Sequence, residues 1–364
     1  MPGVHAHGAE QKPMYAYVGC RTTKARNARG KGINVYRVRE DGWEHVQLME
    51  GLDNPSFLAM DRAQRYLYAV HGDLGDISAF AIDATTGRLT LLNRQGTEGK
   101  NPVHLAVEPG NRFIVVANYA TGSLVTLPIQ ADGSLGRVAD LAKLPGNPGS
   151  NREQQGGSHP HDVPFDIAGR HFIVPDKGVD RVFAFSVDSR TGKLTPASSP
   201  YVEAPAGAGP RHVTFHPARP LAYVINELNS TVTTYQYDEA SGALSPLQTV
   251  STVPKDYGGD NTGAEIQIAN SGKFLYASNR GHDSIVTMGI DPTSGLLTPL
   301  SWVESRGKGP RFFAIDPDGR RLYAANELSD TIVPFDIARE SGKLTPLPWR
   351  IDTGSPVCVA FRRV

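Results

Sequence analysis

The sequence predicts an all-β fold, a seven-bladed β-propeller whose blades are four-stranded antiparallel sheets. Three observations predict it: a repeat of about 50 residues, a strand pattern inside each repeat, and chain ends that complete one another. Two clear copies are PRHVTFHPARPLAYVINELNSTVTTYQYDEASGALSP from Pro210 and PRFFAIDPDGRRLYAANELSDTIVPFDIARESGKLTP from Pro310. A period of this length is typical of propellers and solenoids rather than of two ordinary domains.

The repeat starts seven times along the 364 residues. Its copies begin at Pro55, Pro102, Pro160, Pro210, Gly263, Pro310 and Pro356, at intervals of 47, 58, 50, 53, 47 and 46 residues. Each copy has short strands rich in β-branched and aromatic residues, separated by turns such as PDGR and TGKLTP. Seven such meanders arranged around one axis form a propeller, which leaves only short sheet edges exposed.

The two ends of the chain are predicted to build one blade together. MYAYVGC, INVYRV and HVQLM near the start match the second to fourth strands of the repeat, and VCVAF from Val357 matches the missing first strand. We therefore predict a flexible leader over residues 1–14 and a single propeller domain over residues 15–364. The ring closes where the C-terminal strand pairs with the N-terminal strands, and this register places Cys358 opposite Cys20.

Composition and short motifs exclude several classes of function. Lys+Arg 37 and Asp+Glu 37 give a net charge of +0, so no overall basic field attracts nucleic acid or an anionic membrane. Two cysteines form neither a disulfide framework nor a C-x-x-C site, and the start of the chain lacks a secretion signal pattern. We therefore predict reduced thiols and a cytoplasmic location. No phosphate-binding loop, dinucleotide fingerprint or G-x-S-x-G elbow is present, and we predict no cofactor.

Two positions of the repeat concentrate charge. One residue after each repeat start stand Ser56, Val103, His161, Arg211, Ala264, Arg311 and Val357. Seventeen residues after each start stand Gly72, Tyr119, Lys177, Glu227, Arg280 and Glu327, with Arg21 equivalent in the composite blade. These positions are predicted to face each other across neighbouring strands, which pairs Arg211 with Glu227 and Arg311 with Glu327. Such pairs have two interpretations, because opposite charges stabilise a sheet and also bind ligands at a channel mouth.

The first pair has neighbours that favour ligand binding. SHPHD lies one blade before it and NRGHD one blade after it, so a histidine, two arginines and a glutamate can converge. Arginine suits a carboxylate, a phosphate or a developing oxyanion, and histidine suits a general base. The candidate catalytic residues are His161, His159, Glu227 and Arg211. The candidate substrate-binding residues are Arg280, Arg211, Asn226 and Arg311.

Two long loops account for the longer intervals. LPGNPGSNREQQGGSHPH from Leu144 is predicted to form a rim or lid, and VPKDYGGDNTGAE from Val253 a solvated rim. The second loop carries Asp256, Asp260 and Glu265, but their spacing matches no calcium loop. We predict no metal site.

Four stretches carry a family resemblance: GAGPRHVTFHP from Gly207, VINELNSTV from Val224, LYASNRGHDSI from Leu275 and SHPHDVPFD from Ser158. In these the sequence resembles the lactonase family of seven-bladed propellers, which includes propeller-type 6-phosphogluconolactonases and carboxymuconate cyclising enzymes. The resemblance covers essentially the whole chain. It implies an active-site cleft formed by His161, Arg211, Glu227 and Arg280, with His159 as the alternative to His161.

The resemblance also implies a reaction class, the hydrolysis of a sugar lactone in carbohydrate metabolism. The first expectation is 6-phosphogluconolactone to 6-phosphogluconate, a step of the pentose phosphate pathway. A carboxymuconate cycloisomerase, a hydrolase of a neutral sugar lactone and a non-catalytic scaffold are the alternatives. The expected partner is a small anionic lactone, with no nucleic acid and no membrane, bound by a monomer or a weak homo-oligomer.

Overall fold

The computed structural model describes residues 13–363, which form 28 strands in seven antiparallel sheets and one short 3-10 helix, Lys24–Arg26. We number the blades 1 to 7 from the first repeat start, so that blade 7 contains both chain ends. Residues 1–12, most of the predicted leader, lie outside the described residues. No helix in the described part of the chain is long and apolar enough to cross a membrane.

The strands follow the repeat along the chain. Those at the start, in blade 7, are β1 (Met14–Cys20), β2 (Gly32–Arg39) and β3 (Gly42–Glu50). Blades 1 and 2 contain β4 (Pro55–Met60), β5 (Tyr66–His71), β6 (Asp76–Ile82), β7 (Leu89–Gly96), β8 (Pro102–Val107), β9 (Phe113–Asn118), β10 (Ser123–Pro128) and β11 (Asp140–Lys143). Blades 3 and 4 contain β12 (Phe172–Asp176), β13 (Arg181–Val187), β14 (Leu194–Glu203), β15 (Pro210–Phe215), β16 (Leu221–Asn226), β17 (Thr231–Asp238) and β18 (Ala243–Ser251). Blades 5 and 6 contain β19 (Thr262–Ile268), β20 (Phe274–Arg280), β21 (Ser284–Ile290), β22 (Leu297–Glu304), β23 (Pro310–Ile315), β24 (Arg321–Asn326), β25 (Thr331–Ile337), β26 (Leu344–Pro346) and β27 (Ile351–Asp352), and β28 (Pro356–Arg363) returns to blade 7.

The predicted ring closure is confirmed. The sheet of blade 7 has the order β28-β1-β2-β3, so the last strand of the chain is the innermost strand of a blade begun at the first. Val359 faces Val18 and Ala360 faces Tyr17 in this pairing. The seven-bladed fold predicted from the repeat is therefore the fold observed.

Blade 3 departs from the four-stranded pattern. Its inner segment is held by isolated bridges, Pro160 with Asp176 and Phe165 with Phe172, in place of a continuous strand. Pro160 and Pro164 carry no N–H group, so a regular hydrogen-bond ladder cannot form along this segment. The His161 N–H still donates to the carbonyl of Pro175 at 3.0 Å, which keeps the segment in the innermost position.

Buried tyrosines join neighbouring blades. The hydroxyl groups of Tyr17, Tyr68, Tyr223 and Tyr276 donate to backbone carbonyls of glycines in the turns of the next blade, at 2.8 to 3.0 Å. The acceptor for Tyr276 is Gly342, whose φ of +67° is a conformation that favours glycine. The same contact between blades is therefore repeated around the ring. It joins the tyrosine of an LYA-type strand to the glycine of a TGKL-type turn in the next blade.

The inner strands share a β-bulge directly after their first residue. Pro210 pairs with Asn226 and His212 pairs with Ile225, which leaves Arg211 unpaired between them. Blades 1, 2 and 6 show the same register shift, and blade 7 shows it where β28 meets β1. Neighbouring side chains of a regular strand point to opposite faces, and a bulge lets two successive side chains point the same way. Both residues after a repeat start can therefore face the channel.

This bulge overturns one expectation. We predicted Cys358 opposite Cys20, but Cys20 pairs with Pro356 and Cys358 pairs with Gly19. The unpaired residue of the bulge, Val357, shifts the register between them. Both cysteines are buried free thiols.

We predict that neither thiol reacts in the folded protein. Burial raises the pKa of Cys20 to about 12 and also raises the pKa of Cys358, so the reactive thiolate is scarce at neutral pH. A disulfide-exchange reagent should label both thiols at once in denaturant, and in native buffer only at the rate of unfolding. Fast native labelling of either cysteine would contradict the burial described above.

Candidate active site

The inner strands meet at a small cavity in the channel. Its volume is about 20 Å³, room for about one water-sized group. Because of the bulges it is lined by residues of both positions after the repeat starts, together with Arg21: Arg21, Ser56, Phe57, Val103, His161, Arg211, His212, Arg311, Phe312 and Val357. Polar side chains from blades 1, 3, 4, 6 and 7 therefore reach one point on the axis.

Three cations surround the carboxylate of Glu227. Lys177 Nζ lies 3.0 Å from Oε1, Arg211 Nε lies 3.0 Å from Oε2, and Arg280 Nη2 lies 3.4 Å from Oε2. Lys177 comes from blade 3, Arg211 from blade 4 and Arg280 from the end of β20 in blade 5. We call these four residues the Glu227 cluster. The predicted convergence of three adjacent blades is thus present, with Lys177 as an additional member.

The charge state of Glu227 is set by competing effects. Burial opposes its ionisation, but Arg280, Lys177 and Arg211 outweigh burial and hold the pKa of Glu227 well below its usual range. A carboxylate with so low a pKa is a poor proton acceptor at neutral pH. It is well suited to orient the cations around it.

His161 lies in the same cavity with an unpaired ring nitrogen. Its side chain is buried, and Nδ1 has no hydrogen-bond partner among the described residues. The ring lies edge-on to His212 at 5.2 Å and to Tyr119 at 5.7 Å between centroids. Burial, Arg211, Arg311 and Lys177 hold the pKa of His161 well below its usual range. His161 is therefore a neutral imidazole at physiological pH.

His159 is placed differently. Its ring stacks on Tyr119 at 4.4 Å between centroids, and Nδ1 lies 2.9 Å from the carbonyl of Tyr119. Since a carbonyl only accepts, Nδ1 carries the hydrogen. His159 lies at the rim, outside the residues that line the cavity.

Asn226 does not reach the ligand side of the site. Its amide donates to the hydroxyls of Thr231 and Thr233 in the next strand, and the side chain is fully buried. Asn118, Asn279 and Asn326 also bond the hydroxyl five residues further on. This position fastens the second strand of a blade to the third, so we leave Asn226 out of the binding set.

The second residue after each repeat start builds a polar layer that the sequence did not lead us to predict. This position holds Phe57, His104, Asp162, His212, Glu265, Phe312 and Cys358. His104 Nε2 lies 2.9 Å from Asp162, and His212 Nδ1 lies 3.1 Å from Glu265. Reading that position around the ring would have revealed four adjacent polar residues. These four residues were not predicted, because on the inner strand we considered only the first residue after each repeat start. The second residue faces the channel only because of the bulge.

This layer supports Arg211 from one side. Arg211 Nη1 lies 2.5 Å from the carbonyl of Ala264 and 3.2 Å from His212 Nε2. A guanidinium only donates, so Nε2 of His212 accepts and its Nδ1 donates to Glu265. Glu265, predicted on a solvated rim, is thus a buried channel residue, and burial raises its pKa.

A second carboxylate lies between two arginines on the other side of the cavity. Arg21 Nε is 3.8 Å from Glu327 Oε1, and Arg311 Nε is 3.9 Å from Glu327 Oε2. We call Arg21, Arg311 and Glu327 the Glu327 cluster. Its contacts are longer than those of the Glu227 cluster, although both contain the same Arg/Glu pair of the repeat.

The long loop before His159 borders the mouth, where we predicted a rim or lid. Gln154 Oε1 accepts from Lys177 Nζ at 2.9 Å, and the buried amide of Gln155 donates to the carbonyl of Lys177 at 2.8 Å. The loop therefore holds Lys177 towards Glu227. Among residues 13–363, no group of three His, Cys, Asp or Glu side chains lies close enough to hold a metal ion.

Cations outnumber carboxylates in the ion pairs at the mouth, although the net charge of the chain is +0. Six cations and three carboxylates are joined in its ion pairs: Arg21, Arg26, Lys177, Arg211, Arg280 and Arg311 with Asp73, Glu227 and Glu327. The Nε atoms of Arg21 and Arg280 are buried and have no hydrogen-bond partner within residues 13–363. Buried donors without partners favour an anionic ligand, which supplies the missing acceptors.

The inner strands of this propeller surround a small polar site, which contains arginines, a glutamate and a neutral histidine. This arrangement is the candidate active site. The chain belongs to the lactonase family of seven-bladed β-propellers, whose pattern matches residues 15–361. It is 35% identical over 309 residues to the 6-phosphogluconolactonase of Bacillus subtilis, which covers 84% of this chain and 86% of that protein. A Formosa agariphila 6-phosphogluconolactonase is 33% identical over 298 residues, covering 79% and 83%.

Solved structures extend the similarity over nearly the whole chain. The periplasmic gluconolactonase of Pseudomonas aeruginosa superposes with a TM-score of 0.88 at 29% identity, covering 96% of this chain and 99% of that one. A Bacteroides fragilis protein provisionally assigned as a 6-phosphogluconolactonase gives a TM-score of 0.90 at 30% identity, covering 98% and 99%. The family and these relatives support a lactonase enzyme.

We predict that Glu227→Gln destabilises the protein in a pH-dependent way. The depressed pKa of Glu227 contributes stability that is complete above about pH 4.5 and is lost as the pH falls below that value. At pH 7 the variant should be about 3 kcal/mol less stable, because three buried cations lose their carboxylate. Denaturant unfolding at pH 7 and pH 3 should show the difference between the two proteins narrowing in acid.

Glu203→Gln is the control for this measurement. Its carboxylate also pairs with an arginine, Arg181, but is largely exposed, so its removal should change stability by less than about 1 kcal/mol. A Glu227→Gln loss as small as that of Glu203→Gln would show that the Glu227 cluster is not a buried network.

Proposed function

We propose that this protein hydrolyses 6-phosphogluconolactone to 6-phosphogluconate. The observation that carries the proposal is a set of buried arginine donors at the mouth of a lactonase-family propeller that no group among residues 13–363 satisfies, beside ion pairs in which cations outnumber carboxylates. A phosphorylated lactone offers both acceptors that such a site needs, an ester carbonyl and a dianionic phosphate. The names of the Bacillus subtilis and Formosa agariphila relatives support the same substrate.

In the proposed reaction, water attacks the carbonyl carbon of the lactone. Nδ1 of His161, which has no protein partner, takes a proton from the attacking water. Arg211 and Arg280 donate to the oxyanion that develops on the carbonyl oxygen. The bond between that carbon and the ring oxygen then breaks, and the ring oxygen takes up the proton to leave the hydroxy acid.

Glu227 and the polar layer keep the donors in place during this reaction. Glu227 fixes Arg211 and Arg280 through one carboxylate oxygen, and His212 with the carbonyl of Ala264 fixes the far end of Arg211. A guanidinium held from both sides needs little reorganisation when charge develops. Lys177 balances the charge of Glu227 from blade 3.

A neutral sugar lactone is the second candidate substrate. The observation that favours it is the similarity to the Pseudomonas aeruginosa gluconolactonase at 29% identity over 96% of this chain. The two candidates differ by the phosphate group alone. The charge at the mouth distinguishes them, since arginines facing a neutral sugar stay without an anionic partner.

The test compares 6-phosphogluconolactone with gluconolactone, each corrected for spontaneous hydrolysis. We expect kcat/KM to be about 100-fold or more higher for the phosphorylated lactone, because sites built for a polar group reject analogues that lack it. Carboxymuconate in the same panel tests the cyclising alternative. Equal kcat/KM values for the two sugar lactones would overturn the phosphorylated substrate and favour the neutral one.

The pH profile and two histidine variants test the base. Because the pKa of His161 is lowered, its active neutral form should persist below pH 6.5, and the acid limb of kcat/KM should lie there. Gluconolactone serves for this profile, since it has no phosphate that titrates. His161→Gln should lower kcat about 100-fold, and His159→Gln only a few-fold. The reverse order would assign the base to His159.

A further inference from the structure

The Glu327 cluster contains donors that the proposed hydrolysis does not use. The side chain of Arg21 is 5% exposed, and its Nε and Nη1 have no hydrogen-bond partner in the part of the chain that the structure describes. The hydroxyl of Ser56, in the same cavity, is also buried and finds no partner there. Three unpaired polar atoms from blades 7 and 1 therefore lie together on the side of the cavity away from the Glu227 cluster.

The carboxylates near Arg21 do not satisfy it. Glu327 and Asp73 lie 3.8 and 4.0 Å away, beyond hydrogen-bond distance. Asp73 is itself bound by Arg26, and Glu327 is shared with Arg311. Burial, with the neighbouring Arg311, lowers the pKa of Arg21 to about 9, as expected for a buried cation short of counter-charge.

One glycine makes room for this arginine. Gly72 occupies the position where the other six blades carry Tyr119, Lys177, Glu227, Arg280, Glu327 and Arg21. A Cβ atom on Gly72 would lie 2.6 Å from Arg21 Nη1 and 2.8 Å from Ser56 Oγ. Arg21 therefore lies over the glycine, held against Ser56.

We infer that Arg21, Arg311 and Ser56 form a second anion subsite that binds the phosphate of the substrate while Arg211 and Arg280 act on the lactone carbonyl. The inference rests on the proposed function and adds to it which arginines hold which end of the substrate. A phosphate oxygen near the cavity would accept from the free Arg21 atoms and from Ser56. Glu327 would orient both arginines, as Glu227 does in its own cluster.

The test measures binding of 6-phosphogluconate and gluconate by calorimetry to the whole protein and to Arg21→Met. We expect the dissociation constant for 6-phosphogluconate to rise about 10- to 100-fold, from loss of charge-assisted hydrogen bonds, with that for gluconate unchanged. Arg21→Lys should restore part of the affinity. Arg94→Met, which removes a partly exposed arginine that is paired with Asp76 and lies in β7, the outer strand of blade 1, is the control and should change neither.

Gly72→Ala tests the subsite without removing a charge. The atoms displaced, Arg21 Nη1 and Ser56 Oγ, are both side-chain ends and not backbone, so the variant should fold. Moving these two donors should weaken 6-phosphogluconate binding as Arg21→Met does. Gly42→Ala is the matched control, since an added Cβ there meets nothing within 4 Å. Unchanged 6-phosphogluconate binding in both site variants, or equal loss for gluconate, would overturn the subsite.

Inorganic phosphate separates failure of this inference from failure of the proposed function. If the wild type shows no preference for the phosphorylated lactone, the proposed function fails. The subsite still stands in that case if inorganic phosphate binds the wild type and binds Arg21→Met at least 10-fold more weakly. If the wild type prefers the phosphorylated lactone and Arg21→Met keeps that preference, the function stands and the subsite fails.

Discussion

The β-bulge behind the first residue of the inner strands is the constraint on which the active site depends. Without it, successive side chains would alternate between the channel and the blade interior, and each blade would offer the axis a single residue. With it, Arg211 and His212 both line the cavity, as do Arg311 and Phe312. One extra residue per strand therefore lets blades 1, 4 and 6 each contribute two successive side chains to the cavity. The ring of seven blades brings residues that are distant in the chain, from Arg21 to Val357, to the same cavity.

The bulge also organises the charge. Glu227 and Glu327 each form ion pairs with arginines from neighbouring blades. Burial and these cations lower the pKa values of His161 and His212, which keeps both histidines neutral. Although the net charge of the chain is +0, cations outnumber carboxylates in the ion pairs of these two clusters. Buried charges such as these are screened less by salt than surface charges.

The repeat made the architecture predictable. The same regular repeat gave no sign of the bulge, so part of the candidate site was not predicted. Blade number, ring closure and the ion pair between Arg211 and Glu227 follow from spacing, because each repeat must place its strands alike. The strand register predicted for that pair was wrong, since Pro210 pairs with Asn226 and the bulge leaves Arg211 without a cross-strand partner. The bulge leaves no mark in the spacing, so Cys358 was predicted one register off and the layer of His104, Asp162, His212 and Glu265 was missed. The lowered pKa of His161 could not be predicted from the sequence either, since it arises from burial and from cations brought close by the fold.

The two Arg/Glu pairs show why position in a repeat does not decide between structural and functional roles. Arg211 and Glu227 occupy the same repeat positions as Arg311 and Glu327, yet their closest contacts are 3.0 Å and 3.9 Å. The close pair is tightened by Lys177, Arg280, His212 and a backbone carbonyl, all from the blades on either side or from the same strand. In the more distant pair, Glu327 is also shared with Arg21, whose Nε and Nη1 have no hydrogen-bond partner among the described residues. Both clusters keep buried donors without a hydrogen-bond partner among residues 13–363: Nε of Arg211 and Arg280 in the first, and Nε and Nη1 of Arg21 in the second. The first cluster is therefore held in a tighter geometry, and both have capacity for a ligand. Neighbouring blades, more than the repeat itself, therefore determine what each pair does.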